Sequence, residues 1–405
     1  MPRPSHSSSF TLISLSLVFL PVALSAQRTV PELQALAAQG DAAAQFNLGR
    51  LHVTGTGVPQ DNATAARWYR RAAEQGHAGA QHSLGVRYDS GQGVSEDDTE
   101  AVRWYTRAAQ QQHWEAQFRL GRMYANGTGV SQDSVRAVQW FRLAAQQGHA
   151  EAQYSLGQMF FNGRGVSRDR AAAARWVRLA AVQGNTTAQL TLASMHETGS
   201  GVTPDLSLAA RWYRLAALQG SPAAQVSLGY LYDAGTGVAE DDAEAVRWMS
   251  LAADQGDAEG QFALANMYFN GRGVPQDLAT ALRLIRLAAN QGYIRAQFNL
   301  ALSYDGGIGV RRDLTAAAHW FRRAAEQGDS AAQRNLGVIY ANGDGVTQDP
   351  VASYVWLSRA AAQANGSGRT ELLGGRTAIA KQLSSTQLAE AERQINNWTP
   401  TQERE

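Results

Sequence analysis

Aspartate returns every 36 residues along this 405-residue chain, at Asp61, Asp97, Asp133, Asp169, Asp205, Asp241, Asp277, Asp313 and Asp349. Carboxylates do general acid–base chemistry when two of them face one substrate. One carboxylate per 36 residues gives no such pair on sequence alone. Each stands instead just ahead of a helix-forming stretch, where it caps backbone N–H groups and meets the positive end of the helix dipole. The runs Glu96-Asp97-Asp98 and Glu240-Asp241-Asp242 lack the spaced oxygen ligands of a calcium loop. A Gly-x-Gly-Val precedes every one of the aspartates, from Gly55 to Val58 through to Gly343 to Val346. It cannot be a P-loop, because no Gly-Lys-Ser or Gly-Lys-Thr follows. It reads as the end of a helix.

The other reactive side chains point the same way. His77, His113 and His149 share one repeat position and read as turn residues, while His52 and His196 take a slot that is otherwise aromatic. Neither His-Glu-x-x-His nor Gly-x-Ser-x-Gly occurs. Lys381 is the only lysine and Ala378 stands three residues before it, which excludes a Ser-x-x-Lys nucleophile. Cysteine is absent, so there are no disulfides, thiolate nucleophiles or Cys-ligated zinc. The sequence therefore predicts no enzyme, no catalytic residue, no metal ligand and no cofactor. Arginine pairs recur (Arg67 and Arg70, Arg175 and Arg178, Arg211 and Arg214, Arg283 and Arg286), but Glu74, Glu100 and Glu244 offset them and the net charge is +1. These pairs read as a solvated convex face rather than a nucleic-acid surface.

What must position these residues is a repeat. Gln45, Gln81, Gln117, Gln153, Gln189, Gln225, Gln261, Gln297 and Gln333 are all 36 apart, and a leucine follows each by three, from Leu48 to Leu336. After the glycine loop and the aspartate comes tryptophan, at Trp68, Trp104, Trp140, Trp176, Trp212, Trp248, Trp320 and Trp356, with Leu284 the one departure. An Ala-Ala pair closes the repeat. Nine copies fill residues 41–364 without an insertion. Ala44, Leu48 and His52 lie at i, i+4, i+8, one face of a first helix. Gly55 ends it, Asp61 caps a second helix, and Ala65, Trp68 or Tyr69, and Ala72 share the face of that helix, with the tryptophan expected to fill the space between repeats. Two such short helices cannot bury their apolar faces alone, so stacking is compulsory.

The ends differ from the array. Arg3, an apolar run over 10–20 and the small residues 21–26 have the three parts of a secretory signal, with cleavage expected after Ser25 or Ala26. The apolar run is too short to span a membrane, which needs about 20 residues. Residues 27–40 read as an N-terminal capping helix, and 365–405 as C-terminal capping helices, over 369–383 and 384–398 with Ser384 and Gln387 as a capping box, followed by a frayed tail from 399. Five Asn-x-Ser/Thr sites (Asn62, Asn126, Asn185, Asn365, Asn397) carry meaning only in a eukaryotic secretory pathway.

The stretch over residues 44–76, AQFNLGRLHVTGTGVPQDNATAARWYRRAAEQG, resembles the Sel1-like repeat, a relative of the tetratricopeptide repeat, and the resemblance covers residues 41–364. It implies an all-α, right-handed α/α superhelix of nine 36-residue helix-turn-helix repeats with capping helices. It also implies a non-enzymatic scaffold or adaptor in an envelope or secretion process, with a protein or peptide partner in a concave groove lined by the first helices. The alternative is a cell-wall binder or hydrolase like the cysteine-rich relatives, from which this cysteine-free chain departs. Matching Leu48 and Gly49 to the tetratricopeptide pattern puts Phe46, Arg50, His82, Phe118, Arg122, Tyr154, Phe161, Tyr230, Phe262, Phe269, Arg295, Phe298 and Arg334 on the concave side. Aromatics and arginines anchor binding hot spots; the same phenylalanines would also serve to brace neighbouring first helices. The expected protein is monomeric, free of transmembrane segments once processed, and periplasmic or secreted.

Overall fold

The computed structural model describes residues 29–401. The expected export signal, residues 1–26, lies outside them. The chain divides between Gln132 and Asp133 into two compact units. The first holds α1 (Val30–Ala38), α2 (Ala42–Thr54), α3 (Asn62–Glu74), α4 (Ala78–Ser90), α5 (Asp98–Gln110) and α6 (Trp114–Asn126). The second holds α7 (Ser134–Gln146), α8 (Ala150–Asn162), α9 (Arg170–Val182), α10 (Thr186–Thr198), α11 (Leu206–Leu218), α12 (Pro222–Ala234), α13 (Asp242–Asp254) and α14 (Ala258–Asn270). It continues with α15 (Leu278–Asn290), α16 (Ile294–Gly306), α17 (Leu314–Glu326), α18 (Ser330–Asn342), α19 (Pro350–Gln363), α20 (Gly366–Ala380) and α21 (Ser385–Asn396). Every element among the described residues is a helix; successive helices pack as hairpins within each unit, α2 with α3 and α4 with α5 in the first, and α8 with α9 through α18 with α19 in the second.

Local chemistry sets the hairpin. Asp61 accepts the Ala63 and Thr64 N–H groups at 2.9 and 3.1 Å, and the other eight repeat aspartates cap their second helices likewise. Each first helix ends on a left-handed glycine, such as Gly91 at φ 66°. The second loop glycine answers a different demand. A Cβ on Gly93 would lie 2.2 Å from the Asn62 carbonyl oxygen of the preceding repeat, so the loop and the older helix touch backbone to backbone.

Tryptophan packs between repeats, as Trp104 does in one cluster with Ala65 and Tyr69 of the preceding one, but a neighbouring slot lies deeper. Tryptophan does not hold the deepest large slot; the residue after it does. Tyr69, Tyr105, Phe141, Val177, Tyr213 and Phe321 are at most 3% exposed, whereas Trp68, Trp140, Trp176 and Trp212 are half-buried. The reason is facing geometry. The Tyr105 ring lies flat on Gly85 of the partner helix, where an added Cβ would sit 2.7 Å from two ring carbons. Tryptophan is shallower, from 4% exposed at Trp248 and 8% at Trp104 to half-buried at Trp68, and the arginine three residues on covers it in four repeats, for example Arg107 at 4.5 Å from the Trp104 ring.

The periodic glutamines are buried polar connectors. Gln81 donates from Nε2 to the Ala73 carbonyl at 3.1 Å, and its Oε1 accepts from Gln111 Nε2 at 2.7 Å. The same pair of bonds recurs in the second unit at Gln153, Gln189, Gln225, Gln297 and Gln333.

The C-terminal helices α20 and α21 pack on α19 through Leu372, Ile379 and Ala391, and the Ser384–Gln387 capping box forms. Two details differ. α20 begins at Gly366 and ends at Ala380, earlier than expected, because burial of its apolar residues against α19 outweighs the glycine penalty at its start. Residues 399–401 are tied down rather than frayed, since the Thr401 N–H donates to the Glu326 carbonyl at 2.9 Å.

Candidate partner-binding surface of the first helices

The residues assigned to a concave surface fall into three structural groups. The slot of Phe46 is a bracing slot. Phe46 stacks on His77 with ring centroids 4.6 Å apart and tilts against Tyr69 at 5.8 Å. His82 occupies the same slot one repeat on, stacks on His113 at 4.7 Å and tilts against Tyr105 at 5.8 Å. Phe262 meets Tyr293 at 5.4 Å, and Phe298 meets Phe321 at 5.7 Å. Each of His77, His113 and Tyr293 stands at the N-cap of the following first helix, so this slot ties one repeat to the next. Phe262 departs from the expected surface: it is only 6% exposed and belongs to the core, with the Tyr293 ring against it. Tyr154 also bridges, its hydroxyl 3.3 Å from Thr191 Oγ1 in the next first helix. Phe118 is half-buried in this slot, and Arg334 pairs with Glu371 at 3.2 Å.

A second group is half-buried at the edge. The Arg170 guanidinium lies 5.8 Å from the Phe161 ring, and burial pushes the Tyr230 phenol up, helped by Glu259. The third group is open: Arg50 and Arg122 in the first unit, Arg295 and Phe269 in the second, are exposed.

Sequence reasoning missed an acid–phenol pairing. Tyr105 donates to Asp89 at 3.1 Å and Tyr213 to Glu197 at 2.6 Å, while Arg119 approaches Asp89 at 3.4 Å. The signal was available as an acid sixteen residues before a tyrosine in the second-helix slot. It also missed what the turn histidines do. Nδ1 of His77, His113 and His149 accepts the N–H of Ala80, Ala116 and Ala152 at 3.1, 3.4 and 3.2 Å, so imidazole serves as the helix cap.

The Sel1 repeat family matches nine successive segments, 42–77, 78–113, 114–149, 150–185, 186–221, 222–257, 258–293, 294–329 and 330–365, one residue later in phase than the repeat read above. This chain belongs to the Sel1 repeat family. It is similar to c5321, described as a protective antigen present in uropathogenic Escherichia coli strains displaying an SLR fold, with 34% identity over 91% of this chain and 94% of that one and a TM-score of 0.54. It is also similar to a Sel1 repeat protein from Oxalobacter formigenes, with 35% identity over 76% of this chain and 89% of that one and a TM-score of 0.64. The comparison with curated proteins gives no match. Sel1 repeat proteins are generally non-catalytic scaffolds that mediate protein interactions.

Within the Sel1 array one group invites a metal reading. Ligand atoms of His82, His113 and Glu115 all lie within 4.8 Å of one another. The cap argues against it. Because His113 Nδ1 accepts the Ala116 N–H, the proton of the neutral ring sits on Nε2, the atom 4.0 Å from Glu115. A metal there would have to displace that proton and break the cap. The group does have a pH signature. Burial, then His113 and Arg119, holds His82 down to about 3. A depressed histidine stabilises the fold fully above its unfolded value, near 6.5, and that contribution is lost as pH falls from there toward about 3. Wild type should therefore lose about 2 kcal/mol of stability through this residue between pH 7 and pH 5. His82→Phe, which copies Phe46, should flatten that part of the profile; urea titrations at both pH values check it, and an unchanged slope in the variant would remove His82 as its source.

Proposed function

We propose that this chain is an exported adaptor that holds a protein or peptide partner on the first-helix face of its Sel1 repeats, in the service of an envelope or secretion process. One observation carries the reading. Packing positions repeat without change, as Leu48 does through Leu336, while the open first-helix positions change from repeat to repeat and hold Arg50, Arg122, Phe269 and Arg295. A surface with a constant scaffold and variable arginine and aromatic anchors is what selective recognition requires. The export half rests on the three-part pattern over residues 1–26.

Two measurements test the two halves. Terminal sequencing of the native protein should find Ala26 or Gln27 first; an intact Met1 or Pro2 would end the export reading. For binding, partners recovered from the native host should be titrated against Arg50→Ala with Arg122→Ala, and against Phe269→Ala with Arg295→Ala. At least one pair should weaken capture by about tenfold or more, roughly 1.4 kcal/mol. Arg67→Ala with Arg70→Ala, on the second helix, should bind normally. Lost binding in that control together with full binding in the first-helix pairs would move the site to the other face.

A further inference from the structure

The repeat slot of Arg71 divides the array. It holds arginine in the first two and last two repeats, and leucine in the five between, at Leu143, Leu179, Leu215, Leu251 and Leu287. The arginines lie over the tryptophan three residues earlier, at 4.7 Å for Arg71, 4.5 Å for Arg107, 5.0 Å for Arg323 and 4.6 Å for Arg359. Leucine cannot make that cationic cover. The five leucines are instead 41–48% exposed, and one turn on Val182 and Leu218 are 69% and 68% exposed. Equivalent positions of a regular repeat form a row, so α7, α9, α11, α13 and α15, all in the second unit, present an apolar line to solvent.

That line is set in positive charge. α7, α9, α11 and α15 contain arginines and no acidic residue, and Arg142, Arg178, Arg214 and Arg286 directly precede a leucine of the row and are exposed. Only α13 carries acids, Asp242, Glu244 and Asp254. Half-buried Trp140, Trp176 and Trp212 lie one turn back.

We propose that this row docks the protein on an anionic lipid surface, with the leucines entering the interfacial region and the arginines on headgroup phosphates. Charge complementarity selects the occupant. A second copy would set the same arginines against each other. A helical protein partner needs a groove to receive its apolar face, but these side chains project from successive helices. The clefts of about 380 Å³ beside Tyr354 and Arg376 and of about 400 Å³ beside Arg322 and Tyr340 include no residue of the row. Leucine for insertion, arginine for phosphate and tryptophan at the boundary are the ingredients of an interfacial amphipathic surface. Here repeat stacking assembles it in place of one helix.

The test is sedimentation of the full chain with phosphatidylcholine vesicles and with vesicles that also contain about 30% phosphatidylglycerol. The partition coefficient should be about tenfold or more higher on the anionic vesicles and fall with added salt. Leu179→Gln with Leu215→Gln and Leu218→Gln keeps every charge and should lower it by about tenfold or more, with an unchanged circular dichroism spectrum. Arg175→Gln with Arg178→Gln should lower it on anionic vesicles and flatten the salt dependence. Equal binding to both vesicle types, no binding to either, or anionic binding that the leucine variants retain in full would each overturn the proposal. So would a dimer in sedimentation velocity that the leucine variants dissolve, since a second copy would then be what covers the row.

Discussion

Tyr105→Ala will lower the unfolding free energy by about 3–5 kcal/mol, the range for removing a fully buried aromatic ring. Tyr105 has no exposed surface, rests on Gly85, and sends its hydroxyl to Asp89 at 3.1 Å. Truncation leaves a cavity between α4 and α5 that a glycine opposite it cannot fill. Tyr105→Phe keeps the ring and loses only the hydrogen bond, so it should cost about 1 kcal/mol. Gly85→Ala attacks the same contact from the other side, and its new Cβ must push the ring away. Trp176→Ala should cost less than Tyr105→Ala, about 1–2 kcal/mol, because its indole is half-buried. Urea unfolding of the four variants orders them. A Trp176→Ala cost above that of Tyr105→Ala would return tryptophan to the central packing role that its periodicity alone suggests.

That inversion shows where sequence reading reached and where it stopped. Helix boundaries were legible because their causes are local: an aspartate four residues after a loop glycine caps whatever follows, and Gly55 or Gly91 ends whatever precedes. Which of Trp104 and Tyr105 lies deeper depends on the approach of the facing helix, and both residues sit within one helical step of the seam. The deciding residue was Gly85, whose missing side chain makes room for the ring, and a glycine inside a helix declares no partner in sequence.

The candidate surface was harder to read for the same reason. Variation at the Phe46 slot, which accepts His82 and Arg334, is also what an exposed position would show. The structure gives the slot a bracing role instead: phenylalanine at 46 and histidine at 82 both stack on an N-cap histidine, His77 and His113, and phenylalanine at 262 faces Tyr293. Arg50, Arg122, Phe269 and Arg295 are exposed on their first helices. The exposed leucines are not legible in sequence, because a leucine beside an alanine pair has the pattern of core until its direction is fixed by packing.

Gln225→Glu will destabilise the protein by about 3–5 kcal/mol at neutral pH although it changes one group and no volume. Gln225 is 3% exposed; its Nε2 donates to the Ala217 carbonyl at 3.2 Å and its Oε1 accepts from Gln255 at 2.8 Å. A carboxylate keeps the second bond and reverses the first, setting a charged oxygen against a carbonyl oxygen in a site with little water. Burial and that carbonyl both raise the new carboxyl above its unfolded value, near 4.3. A raised group contributes its stability below the unfolded value and loses it as pH rises through the folded one, so the penalty relative to wild type should shrink toward pH 4, where a protonated carboxyl can again donate to Ala217. Gln225→Leu removes both bonds without adding charge and should cost about 1–3 kcal/mol at every pH. Paired urea titrations at pH 4 and pH 7 separate the two. If the glutamate variant shows the same penalty at both, the glutamine row acts through shape rather than through its donor, and the invariance of Gln45 to Gln333 needs another cause.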